Sequence, residues 1–138
     1  MVGYPESLTD PSFTGQILVL TFPSIGNYGV PDWNAEMQGI KKNIESDRIR
    51  VAGLIVGDYS HDYSHCEAIS DLSFWLQSNN IPAIGGIDTR SLTKYLRSNG
   101  STLAQLIIGQ DDGQLPWIDP NEFNLVQKGS YNSDNSFD

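Results

Sequence analysis

Apolar residues gather along this chain into short runs whose periods differ, and turn formers separate them. Residues 16–22 (QILVLTF) form a nearly continuous, branched run between Gly15 and Pro23. Such a run predicts a strand buried on both faces and central in a sheet. A second run at 49–56 (IRVAGLIV) and shorter ones at 83–87 and 102–108 predict further strands. Two segments switch to helical spacing. Ser64 and Glu67 match a capping box that would start a helix there, with Ala68, Leu72, Trp75 and Leu76 on one face and Asn79-Asn80 as its end. Asp88 is placed to cap a helix over 89–98, with Leu92, Tyr95 and Leu96 inward, Lys94 and Arg97 near its negative end and Gly100 as its stop. The first 15 residues are rich in turn formers and predict a turn with one helical coil, and a short helix is expected around 35–44. Strand, helix, strand, helix, strand in the second half argues for an α/β fold with parallel pairing.

Composition narrows the class. A chain of 138 residues with 38% hydrophobic residues supports one modest core, not two. The formal charge of −9 repels phosphate backbones and anionic headgroups, so neither nucleic acid nor membrane is an expected partner. The longest apolar blocks are far below a membrane span. One cysteine, Cys66, permits no internal disulfide and no four-thiolate zinc site, which fits a reducing cytoplasm.

Three segments are candidates for chemistry or contact. Asp58, His61, Asp62, His65 and Cys66 form the densest polar cluster, and His61 and His65 stand four apart, the spacing of two zinc ligands on one helix face. The expected helix start after Ser64 leaves His61 on a loop, so solvated loop residues are the simpler reading. Cys66 lacks the G-x-C-x-G elbow that supplies an oxyanion hole to triad glutaminases, which favours an inert thiol over a nucleophile. A small metal or thiol hydrolase built on His61, His65 and Cys66 stays as the alternative. Gly26-Asn27-Tyr28-Gly29 follows a strand and could expose amides to an anion, but the lysine and hydroxyl of a P-loop are absent, and a shaped contact loop is the expected role. Asp88-Thr89-Arg90 reads as an ordered helix start. Trp33, Trp75 and Trp117 are too scattered to predict a stacking platform.

Several phrases then belong together: GYPESLTDPS at 3–12, QILVLTFP at 16–23, IGNYG at 25–29, VAGLIV at 51–56 and PAIGGIDTR at 82–90. Their order and spacing resemble the N-terminal domain of carbamoyl phosphate synthetase small chains, most closely the fused eukaryotic pyrimidine-pathway form, over about residues 1–126. The resemblance implies a three-layer swivelling β/β/α domain, here without its opening strands, and a tail at 127–138. It further implies a structural role, packing on the glutaminase domain and on the synthetase portion, in pyrimidine or arginine synthesis. The glutaminase's Cys, His and Glu and the ATP-using sites of the synthetase have no counterpart here, so the chain by itself is expected to lack activity and cofactor. A truncated remnant without function is the other alternative.

Overall fold

The structure, a computed structural model, describes residues 3–109, 116–122 and 124–130. It is a mixed α/β fold whose centre is a three-stranded parallel sheet in the order β1-β5-β7, formed by β1 (Ile17–Leu20), β5 (Gly53–Val56) and β7 (Ala83–Ile84). The run at 16–22 is therefore an edge strand of this sheet, and β5 takes the centre. The reason lies in β5's composition: Gly53 lets neighbours close in, and Leu54 and Val56 are almost completely buried.

One sheet face builds the core. Leu18 and Leu20 of β1 stand in register with Leu54 and Val56 of β5, so the pleat sends all four to the same side. There they join Tyr4 and Leu8 of α1 (Tyr4–Thr9) and Leu72, Trp75 and Leu76 of α2 (Leu72–Ser78), together with Ile25, Val30, Ile49 and Val51. Each such fully buried aliphatic side chain stabilises the fold by roughly 1.5–3 kcal/mol.

Helix α2 starts later than the capping box at Ser64 predicts. Ala68–Ser70 instead forms β6, which pairs antiparallel with β2 (Val30–Pro31), and the carboxylate of Asp71 then caps α2 by accepting from the Phe74 N–H at 2.8 Å. A ladder to a distant strand outweighs a local cap when it also buries Val30. Ala68 consequently leaves the helix face, whereas Leu72, Trp75 and Leu76 keep it.

The expected helix at 35–44 is a hairpin of β3 (Glu36–Met37) and β4 (Ile40–Lys41). Its turn residues Gln38 and Gly39 have φ of 55° and 77°, the mirror-image turn that matches strand twist. Helix α3 (Thr89–Asn99) follows the sequence closely: Asp88 caps it through Ser91, and the N–H of Gly100, at φ 78°, closes it on the Leu96 carbonyl. Its inward face is less covered than expected, with Leu92 and Leu96 half-buried and Tyr95 55% exposed. Residues 102–108 form no strand: they run beside the sheet without a ladder, touching it where Leu106 approaches Gly53. Helix α4 (Leu125–Gly129) runs into the start of the predicted tail, and the tail from 131 onward lies outside the described residues.

Candidate functional site

The segments singled out by sequence meet at the C-terminal end of the parallel sheet, where loops from adjacent strands converge. The loop after β1 and the loop after β5 are sewn together. Ile25 N–H donates to the Asp58 carbonyl (3.0 Å), Ser60 N–H returns to the Ile25 carbonyl (2.8 Å), and Ser64 N–H donates to the Asn27 carbonyl (3.1 Å). The Gly85-Gly86 turn joins them, since Gly86 N–H donates to the Gly57 carbonyl at 2.8 Å and Thr89 lies buried against Gly57.

Glycine is required where these loops cross. Gly26 has φ 109°, and a Cβ there would lie 2.4 Å from the Ser60 carbonyl oxygen. At Gly29, φ 73°, a Cβ would lie 2.6 Å from that of Ala68. Side chains with a Cβ resist both the angle and the contact. Three amides of the loop are already engaged: Ile25 donates to Asp58, Asn27 to Ser24 and Gly29 to Gly26. The loop's backbone thus serves to hold its neighbour.

Aromatic side chains fill the crossing. Tyr4 packs edge-on against Tyr28 at 5.9 Å between centroids, and its hydroxyl donates to the Gly29 carbonyl at 2.5 Å. Burial, and then the field of Tyr59, pushes that hydroxyl well above the usual phenol range. Tyr28 and Tyr59 are raised too, chiefly by burial. Tyr59 also accepts from the Ser73 N–H (3.1 Å), fixing the first turn of α2 to the loops.

The structure does not bring the polar cluster together as a zinc pair. The His61 ring packs on Tyr59 at 4.9 Å, and the His65 ring on Tyr28 at 4.3 Å. Instead of sharing a helix face they sit on a loop and against different tyrosines. Among the described residues no group of three His, Cys, Asp or Glu side chains is placed to hold a metal ion. Cys66 is a free, exposed thiol, and neighbouring Glu67 pairs with Lys42 at 3.1 Å. At the other motif, the Asp88 carboxylate accepts from both the N–H (2.9 Å) and the hydroxyl (2.7 Å) of Ser91, which holds its pKa below the usual carboxylate value, while Arg90 points to solvent.

Sequence reasoning missed two features. Trp33 and Trp75 do stack, at 6.2 Å and 23°, and line a small cleft of about 120 Å³ with Ile49 and Phe74. Arg50 is buried inside an apolar run, where its Nε donates to the Ser46 hydroxyl (2.9 Å) and its guanidinium pairs with Asp47 (3.0 Å). Ser46 in turn donates to the Thr9 carbonyl at 2.6 Å, which ties the end of α1 to the segment before β5. The charge standing between Ile49 and Val51 was the available signal, because a buried arginine needs partners.

The class is thus an α/β domain whose converging loops are bonded to one another. Residues 1–106 match the family model for the carbamoyl-phosphate synthase small chain, CPSase domain, and the chain belongs to that family. Among curated relatives, the multifunctional protein URA2 of Saccharomyces cerevisiae is 47% identical over 96% of this chain and 7% of its own length. The multifunctional protein CAD of Squalus acanthias is 49% identical over 94% of this chain and 6% of its own. The arginine-specific carbamoyl phosphate synthase small chain of Neurospora crassa is 48% identical over 94% of this chain and 29% of its own. The chain therefore spans less than a third of each of these relatives. No described helix is long and apolar enough to cross a membrane.

Proposed function

We propose that this chain is the non-catalytic front domain of a glutamine-dependent carbamoyl phosphate synthetase, of the three-layer swivelling β/β/α type. It packs on the glutaminase portion and helps seat it against the synthetase portion. Ammonia release from glutamine and the use of ATP and bicarbonate belong to those other portions, and this chain contributes neither nucleophile nor cofactor. It works in the cytoplasm, away from nucleic acid and membrane. Relatives named for arginine synthesis and multifunctional relatives match it about equally well, so either pathway suits the same scaffold.

The observation that carries the reading is the stitched pair of loops. Backbone groups and aromatic rings that a catalytic pocket would aim at substrate are bonded to one another, which yields a rigid end of the sheet suited to contact. The test is a chimera in which this chain replaces the matching portion of the Neurospora crassa small chain. Glutamine-dependent carbamoyl phosphate formation should persist in the chimera. Glutamine hydrolysis by the isolated chain, lost on Cys66→Ser, would overturn the proposal.

A further inference from the structure

The last turn of α3 sets a chemically labile pair where water reaches it. Asn99 ends the helix and Gly100 follows, both are exposed, and no other asparagine of the chain precedes a glycine. The helix stop itself demands that glycine. Gly100 has φ 78° and ψ −163°, a backbone region that only glycine enters readily, while a Cβ there would meet no atom within 4 Å. Backbone geometry, not packing, therefore keeps the residue after Asn99 free of a side chain.

That freedom leaves the Gly100 amide nitrogen open to react. It can lose its proton and attack Asn99 Cγ. The new N–Cγ bond closes a five-membered succinimide as the Cγ–Nδ2 bond breaks, and the side-chain nitrogen leaves with a proton as ammonia. Water then adds to either carbonyl of the ring and opens it to aspartate or isoaspartate, with no oxidant or cofactor. Elsewhere in the described residues each asparagine is followed by a residue whose side chain crowds this attack, as at Asn27-Tyr28, Asn43-Ile44 and Asn80-Ile81.

The fold opposes the reaction at nucleophile and leaving group together. Gly100 N–H donates to the Leu96 carbonyl at 2.8 Å, and Asn99 Nδ2 donates to the Tyr95 carbonyl at 2.8 Å. Ring closure also requires Asn99 to leave the helical ψ. All three restraints belong to one turn at a helix end, where opening costs least.

We propose that Asn99 is a site of spontaneous deamidation whose rate is set by opening of the last turn of α3. The product puts a carboxylate at the negative end of the helix and removes the donor to the Tyr95 carbonyl, so each event loosens the turn that suppressed it.

The experiment incubates this chain, folded in buffer and unfolded in guanidinium chloride, at the same mildly alkaline pH and temperature. Trypsin releases Asn99 on a peptide ending at Lys128, free of Asn132 and Asn135, and tandem mass spectrometry locates the conversion of amide to acid. Asn99 should convert at least about tenfold more slowly in the folded chain. Arg97→Glu, which sets an acid at the same helix end, should raise the folded rate about two- to fivefold and leave the unfolded rate unchanged. Asn99→Asp, the product itself, should speed hydrogen exchange at the Gly100 amide about two- to fivefold. Equal rates in the two states would overturn the gate, and absence of conversion in the unfolded chain would overturn the site. A folded rate unmoved by Arg97→Glu would overturn the last turn as the element that opens.

Discussion

Leu54 and Ile55 are neighbours on β5, similar in size and hydrophobicity, yet Leu54 is 1% exposed in a filled core while Ile55 looks onto a face that α3 and residues 102–108 cover only in part. The pleat separates them, but what lies above each face decides their energies. On the core side α1, α2 and the Trp75 ring close the space. On the other side the apolar stripe of α3 stays partly wet, and its cations find no ion-pair partner among the described residues. A domain that seals one sheet face and leaves the other partly uncovered draws its stability mainly from the sealed one.

This contrast can be broken by substitution. Leu54→Ala should produce the largest loss, about 2–5 kcal/mol in urea unfolding, because the core face cannot collapse around the void. Next comes Tyr4, whose buried hydroxyl holds the Gly29 carbonyl. Tyr4→Phe should cost about 1–3 kcal/mol by leaving that carbonyl unpaired. The same residue predicts alkaline sensitivity. Its pKa is raised in the folded state, so the stabilisation is complete below the unfolded value of about 10 and is lost as pH rises beyond it. Circular dichroism above that pH should show earlier unfolding in the parent chain than in Tyr4→Phe, measured relative to each one's stability at neutral pH. The smallest effect is expected at Ile84→Ala, under about 1 kcal/mol, since much of that side chain already meets water. A cost at Ile84 equal to that at Leu54 would show the outer face to be a second core.

The parts of the fold legible in the sequence are those set by near neighbours. Helix α3 was readable because its cap at Asp88, its apolar period and its stop at Gly100 are all local signals. The glycine loop was readable as a shaped loop, since Gly26 and Gly29 announce unusual backbone angles. The β3–β4 hairpin was not, because Gln38-Gly39 lacks the usual Asn-Gly signature of its turn. Likewise the capping box at Ser64 is a sound local signal that lost to a ladder in which Ala68 pairs with Pro31, 37 residues earlier in the chain.

For the candidate site, sequence supplied Gly26 to Gly29 and Asp88 to Arg90 but not their meeting at one end of the sheet. It also supplied His61 and His65 at a tempting spacing, and the fold gave each ring its own tyrosine. The residues alone determined the α/β class, the family, the apolar stripes and the places where only glycine serves, because each depends on composition, order or local backbone freedom. The tertiary structure alone decided that β5 is central, that Arg50 is buried with Ser46 and Asp47, and that one sheet face is sealed and the other open. Those outcomes depend on which distant segment wins the competition to cover a surface, and that free energy exists only once the chain is packed.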